Sequence, residues 1–246
     1  MSKLHLIMPM GGKGSRFIDK GFDFPKPLLK LHTRPFFFWS VQSIAKFIEL
    51  KDITFIVLQE HVEKYRIDDE IQNYYPKARV HIIPEVLDGA VLTCLEGLKE
   101  IHDGGPLLIN DCDHLFKSSQ FESMFAANDM VEIDGGLMTF KSNEEKYSYV
   151  KYDDRNCIIG TTEKKVVSED AICGCYYFRN KKLFQNCAEI YLKGCEYKEF
   201  YISGLYNIIA ESKGIIRTFQ TDFHIPYGTP EELETAKSFT GFGELE

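Results

Sequence analysis

Apolar residues recur along this chain in short runs separated by longer amphipathic stretches, and that alternation predicts most of the architecture. Leu4 to Met8 is a run of strand length that ends in a glycine-rich turn. Pro35 to Leu50 starts with proline at a first helical position, and Phe36-Phe37-Phe38-Trp39-Ser40-Val41 spaces its apolar residues to bury one face, so this stretch reads as a covering helix. Ile53 to Leu58 is β-branched and reads as a buried parallel strand, Glu60 to Tyr75 as a more polar helix, and Val80 to Ile83 as a third strand. The loop Pro84 to Ala90 leads into a helix running to about Ile101, with Asp88 a candidate cap. Pro106 to Asn110 is a fourth apolar strand. Strand and helix in such alternation predict an α/β fold, a single Rossmann-like three-layer domain with a mixed, mainly parallel sheet, whose ligands lie at the carboxyl ends of the strands.

After a short helix near Ser118 to Ala127 the pattern turns to hairpins. Gly135 to Phe140 reads as a strand, and Tyr147 to Asp153 with Cys157 to Gly160 as a hairpin around Asp154-Arg155-Asn156. Ile172 to Phe178 is a buried strand, Leu205 to Ser212 a helix and Ile215 to Gln220 a final strand. No linker, repeat or low-complexity segment divides the chain, so one domain over 1–246 is expected.

Composition narrows the classes. With 246 residues and 44% hydrophobic content the chain can bury a full core. No apolar run approaches membrane-spanning length and the N-terminus lacks a signal-peptide pattern, so a cytoplasmic protein without a membrane partner is expected. A formal charge of -8 argues against a nucleic-acid polymer as main partner, because phosphate backbones call for basic surfaces. Seven cysteines at irregular spacing, with no C-x-x-C, read as reduced thiols, and Cys173 and Cys175 as packing residues on one strand face. The Phe36–Trp39 segment is expected in the core, and a homo-oligomer is left open.

Candidate chemistry gathers at two strand ends. In Met10-Gly11-Gly12-Lys13-Gly14-Ser15-Arg16, three glycines in four positions let the backbone approach a ligand and aim several N–H groups at it, which suits a triphosphate; Lys13 and Arg16 add positive charge. Lys26 lies between Pro25 and Pro27, which hold it in an extended backbone. Asp111-Cys112-Asp113-His114 ends the fourth strand, and carboxylates two apart there project to one side, as needed to hold a divalent cation beside phosphate oxygens.

The glycine loop followed by Phe24-Pro25-Lys26-Pro27-Leu28 resembles the signature of the nucleotidylyltransferases that make nucleotide sugars. The resemblance implies that the loop from Met10 to Arg16, chiefly Gly11, Gly12, Gly14 and Arg16, holds the NTP phosphates, and that Lys26 neutralises the reacting ones. It implies backbone contact with the base at Gly89 and Ala90, with Glu85 nearby, and Mg²⁺ on Asp113 with Asp111 as a neighbouring or alternative ligand. Lys164, in a stretch similar to the family's E-K-P, would grip the acceptor phosphate, although Lys165 stands where proline is usual. Tyr176, Glu199 and Tyr201 would line the acceptor pocket. On this basis residues 1–130 form a nucleotide-binding half and 131–246 an acceptor-binding half. Tyr227-Gly228-Thr229-Pro230-Glu231-Glu232-Leu233 is similar to the family's G-T-P-E-D-L, but Pro226 replaces the metal-binding Asp that often precedes it, which leaves Asp222 as the candidate second metal ligand. The implied partners are an NTP and a small phosphorylated acceptor. Pro9-Met10, in place of the usual Leu-Ala, resembles a subgroup from surface-polysaccharide clusters; within it, overall similarity and size favour CTP and phosphoglutamine in capsule biosynthesis, with a hexose 1-phosphate the rival. A metal-dependent glycosyltransferase using Asp111-Cys112-Asp113 as a D-x-D, or a non-catalytic nucleotide sensor, are the readings from other classes.

Overall fold

The first apolar run forms the centre of the sheet. In the computed structural model, which describes residues 4–245, β1 (Leu4–Met10) is paired in parallel with β4 (Leu50–Leu58) on one side and β6 (Leu107–Asn110) on the other. Between β1 and β4 lie α1 (Ser15–Ile18), a small hairpin of β2 (Lys30–Leu31) and β3 (Arg34–Pro35), and α2 (Phe36–Ala45). α3 (Gln59–Tyr65), α4 (Ile67–Tyr74), β5 (Arg79–Ile83) and α5 (Ala90–Gly97) complete the parallel portion. β7 (His114–Lys117), α6 (Ser119–Ala126), β8 (Gly135–Lys141), β9 (Ser148–Tyr152), β10 (Ile158–Glu163) and β11 (Asp170–Phe178) follow. The chain then runs through α7 (Lys181–Gly194), α8 (Leu205–Glu211), β12 (Ile216–Gln220), β13 (Phe223–Pro226) and α9 (Pro230–Ala236).

Among the described residues the main sheet has nine strands, ordered β10-β9-β11-β6-β1-β4-β5, with β8 joining β11 to β12. Alternate residues of β1 serve opposite faces, as a strand requires. Leu6 and Met8 pack under α2 and α4 with Phe37, Val41 and Ile71, whereas Ile7 packs on the other face with Val91, Phe184 and Tyr206 of α5, α7 and α8. A third cluster, Phe17, Leu29, Phe36, Trp39, Leu115, Tyr227 and Leu233, ties the segment after the glycine loop to the C-terminal region. Of the Phe36–Trp39 segment, Phe36, Phe37 and Trp39 are buried. Cys173 and Cys175 are buried, free and in one cluster. No helix among the described residues is long and apolar enough to cross a membrane.

Several boundaries differ from the sequence expectation. Pro35 closes the β2–β3 hairpin and caps α2 with an extended backbone, so it is not the first helical residue. α2 stops at Ala45, and the chain re-enters the sheet at Leu50. Glu60–Tyr75 breaks at Arg66, which adopts φ 53 between α3 and α4. Asp88 does not cap α5; Gly89 takes that position with φ 116, and no side chain makes the cap bond. Elements absent from the sequence expectation include α7, the β2–β3 hairpin and the antiparallel ribbon of β7 with β13.

Candidate active site

Adjacency of β1 and β6 creates the site. His5, Leu6 and Ile7 are in register with Leu107, Leu108 and Ile109, so the glycine loop and the acidic segment leave neighbouring parallel strands at the same edge, about 5 Å apart. At Gly14, with φ 66, a Cβ would stand 3.0 Å from Cβ of Lys26, so the loop lies directly against the Pro-Lys-Pro segment. Gly12 has open space where a Cβ would be, which leaves its backbone accessible from the cavity. α1 buries Phe17 in the third cluster and thereby fixes Arg16 beside the loop.

A cavity of about 700 Å³ runs along this edge. Its walls are Pro9 to Ser15, Lys26 and Pro27, Val86 to Ala90, Thr93, Asp111 to Asp113, and Glu199 with Tyr201. Glu85 is exposed and is not part of this wall, whereas Val86, Leu87, Asp88 and Thr93 are. Glu199 and Tyr201 come here because the backbone N–H of Phe200 donates to Asp88 O (3.0 Å) and that of Val91 to Phe200 O (3.0 Å). This pairing lays residues 199–201 across the Gly89 loop, so Glu199 and Tyr201 share a cavity with the glycine loop and the carboxylates. Gly89 is required there, since a Cβ would stand 2.3 Å from N of Phe200. Lys164 reaches the same region from the end of β10, donating from Nζ to the Tyr201 hydroxyl at 3.1 Å.

At the centre of the edge, Nζ of Lys26 donates to Oδ2 of Asp113 at 2.7 Å, with the two side chains 27% and 24% exposed. Burial alone would lower the lysine pKa, but the Asp113 charge beside it raises it well above its usual range. Burial pushes the other way on Asp113, where the lysine wins and holds the carboxyl below its ordinary value. Asp111 is different. Burial, reinforced by the negative charge of Asp113, pushes its pKa up to about 7, and its carboxylate has no hydrogen-bond donor among the described residues. β11 passes close to it at Gly174, with φ 84, where a Cβ would stand 2.7 Å from Oδ2 of Asp111. His114 points into the interior: Asn110 Nδ2 donates to Ser40 O (2.8 Å), so Asn110 Oδ1 accepts from His114 Nε2 (2.8 Å), and burial lowers the imidazole pKa to about 4.

Asp111 and Asp113 suit a hard divalent cation. One carboxylate lacks a donor and both offer oxygen ligands, and Mg²⁺ is commonly held by one or two carboxylates together with substrate phosphates. Among the described residues no third His, Cys, Asp or Glu joins them as a metal-binding group. Register places Asp222 away from these two carboxylates. It accepts from N (3.1 Å) and Oγ (2.6 Å) of Ser119 at the start of α6, and lies next to Phe223, which pairs with Lys117. Pro226, at the opposite end of that ribbon, pairs with His114. The backbone following Pro226 faces Asp113 instead: Tyr227 N–H donates to Asp113 O (2.9 Å), and a Cβ on Gly228 would stand 2.5 Å from Oδ2 of Asp113.

A second hollow of about 220 Å³ lies across the carboxylates from the first. Arg16, Asp111, Asp113 and Tyr176 line it, as do Lys146, Tyr147, His224, Thr229 and Glu232. The sequence expectations omit Lys146, Tyr147, His224 and Glu232; only Glu232 lies in a recognisable motif, and no spacing in the loop before β9 marks Lys146 or Tyr147. A more apolar hollow of about 660 Å³ between Phe22, Phe24 and Tyr65 contains neither the glycine loop nor the carboxylates.

The sequence profile described as nucleotidyl transferase matches residues 5–238. Similar solved structures include a nucleoside-diphosphate-sugar pyrophosphorylase from Vibrio cholerae RC9, with TM-score 0.82 and 22% identity over 95% of this chain and 100% of that one. The inositol-1-phosphate CTP transferase from T. maritima has TM-score 0.76 and 15% identity over 100% of this chain and 95% of its own. A UDP-glucose pyrophosphorylase complexed with UDP-glucose has TM-score 0.75 and 17% identity, covering 100% of both chains. At such identities the likeness is one of fold. A search of curated proteins finds no match. With the profile spanning almost the whole chain, from the first central strand past α9, the protein belongs to the nucleotidyl transferase family.

Proposed function

We propose that the protein transfers the nucleotidyl group of an NTP to the phosphate of a small phosphorylated acceptor and releases pyrophosphate. The observation that carries this reading is the contact of Lys26, on the wall of the glycine-loop cavity, with Asp113, which lines both that cavity and the second hollow. An acceptor phosphate oxygen attacks the α-phosphorus, the bond from that phosphorus to the oxygen bridging to the β-phosphate breaks, and pyrophosphate departs. The attacking oxygen is already anionic near pH 7, so no side chain has to remove a proton; positioning and charge neutralisation carry the catalysis.

In this reading the N–H groups of Gly11, Gly12 and Gly14, with Lys13 and Ser15, cradle the triphosphate. Gly89 and Ala90 face the base. Lys26 leaves Asp113 for the phosphates and stabilises the charge that builds there, while Arg16 stands on the acceptor side of the carboxylates, where it meets the incoming phosphate. Lys164 orients the acceptor from the Tyr201 edge. Mg²⁺, held by Asp113 and Asp111, would supply further neutralisation of phosphate charge when bound.

CTP and phosphoglutamine, in capsule biosynthesis and in the cytoplasm, are the substrates we favour, on overall similarity and size to the capsule-cluster enzymes of the subgroup with Pro9-Met10 in the loop. A hexose 1-phosphate is the second reading, favoured by the pyrophosphorylases among the structural neighbours. Incubation with each of four NTPs against phosphoglutamine, phosphocholine and a panel of sugar phosphates, followed by a pyrophosphate assay, tests both. CTP with phosphoglutamine should give the fastest release, and Asp113→Asn should nearly abolish it. Transfer of a sugar from a nucleotide sugar without pyrophosphate would instead indicate a glycosyltransferase.

A further inference from the structure

The second hollow continues outward. Lys146, Tyr147, His224, Pro226 and Glu232 border both it and an outer hollow of about 600 Å³ between β13 and α9. The partition between the two is an ion pair: Nζ of Lys146 stands 2.8 Å from Oε1 of Glu232, and the same ammonium reaches Glu144 at 3.0 Å. Glu232 is held firmly, in the first turn of α9 with its N–H donating to Oγ1 of Thr229 (3.2 Å), and it is only 15% exposed. It is also close to the reacting centre. From the point where a Cβ on Gly228 would stand, Oδ2 of Asp113 is 2.5 Å away and Oε2 of Glu232 is 3.5 Å away. A small acceptor with its phosphate against Arg16 and Asp113 therefore places its next few atoms at this ion pair.

We propose that Lys146 and Glu232 select the acceptor, and that they take one whose end remote from the phosphate carries both an ammonium and a carboxylate group. The inference rests on the transfer reading above. Opening a partly buried ion pair for hydroxyl groups leaves two charges facing neutral partners, which disfavours a neutral sugar ring. A zwitterion returns an opposite charge to each, carboxylate to Lys146 and ammonium to Glu232. His224 on the same wall adds no competing charge, since burial pushes its imidazole pKa far down.

Lys146→Met and Glu232→Gln test this, with glucose 1-phosphate and phosphoglutamine as the compared acceptors and CTP as donor. Each variant should raise KM for phosphoglutamine by about tenfold or more and leave KM for CTP unchanged. The preference of the wild type for phosphoglutamine over glucose 1-phosphate should collapse. Titration calorimetry of both acceptors, with an unreactive CTP analogue present, should show the same loss without turnover. Glu232→Gln keeps the shape of the side chain, so it serves if Lys146→Met folds poorly. Pyrophosphate release with a selectivity indifferent to both variants, or a wild type that prefers glucose 1-phosphate, overturns this inference and leaves the transfer reading standing. No release with any NTP and acceptor overturns both.

Discussion

Replacing Lys26 by methionine removes one charge and little volume, and its consequences can be worked from the contact with Asp113. At 2.7 Å and an effective dielectric near 20, the attraction is about 6 kcal/mol before desolvation. Breaking a fully buried pair leaves a stranded charge and costs about 3–5 kcal/mol. These two side chains are about a quarter exposed, so a loss of about 2 kcal/mol in stability is expected, a fall in Tm of about 4–8 °C for a chain of this length. The fold survives, because Pro25 and Pro27 and the surrounding cluster do not depend on the charge. Catalysis loses more. A cation no longer meets the charge developing on the phosphates, which removes about 3–4 kcal/mol of transition-state stabilisation, or roughly a hundred- to a thousandfold in turnover. Steady-state pyrophosphate release at saturating NTP and acceptor reads the rate, and a thermal melt reads the fold. Turnover within tenfold of wild type, by a folded variant, refutes the role given to Lys26.

Three further outcomes follow from other contacts. Gly89→Ala places a Cβ 2.3 Å from N of Phe200 at φ 116, so it should lower stability by about 2 kcal/mol or more and weaken nucleotide binding; a variant with unchanged melting and CTP affinity contradicts this. His5, 1% exposed, makes short contacts to Asp52 (2.6 Å) and Asp103 (2.7 Å). Burial alone would lower its pKa, but the two carboxylates raise it above the model-peptide value of 6.5, so its stabilisation is complete below about pH 6.5 and is lost as pH rises through the raised folded value. Melts between pH 6 and 9 should show stability falling with rising pH in wild type and a flatter profile in His5→Gln; identical profiles would refute the pairing. Asp222→Asn should cost less than about 1 kcal/mol by weakening the contact with Ser119 and leave turnover and Mg²⁺ dependence unaltered, whereas a large shift in Mg²⁺ dependence would restore Asp222 to the metal site.

The parallel half of the fold was legible because its strands are short, apolar and punctuated by Gly, Pro or Asp, as β1, β5 and β6 show. Which strands are neighbours is not written in that pattern. The glycine loop and Asp113 converge because β6 lies beside β1, a fact of register that local sequence does not encode. α7 is absent from the sequence expectations although Phe184, Cys187, Ala188 and Tyr191 repeat at helical spacing; small Ala and Cys weaken the apolar signal. Asp222 is four residues from Pro226 along the chain, yet the ribbon keeps those residues extended and separates its two ends by about 10 Å, a distance that sequence spacing does not convey. The place of Glu199 and Tyr201 is equally hidden from local pattern: two backbone hydrogen bonds fold their segment onto the Gly89 loop, more than a hundred residues earlier in the chain.

The central claim is that one nucleotide is gripped at once by the glycine loop and the carboxylate tip. A crystal structure with CTP and Mg²⁺ tests it most directly. The account predicts the triphosphate over Gly11 to Ser15, Lys26 turned from Asp113 toward it, and the cation on Asp113. Nucleotide density elsewhere, such as the apolar hollow between Phe24 and Tyr65, with Lys26 still on Asp113, would contradict it.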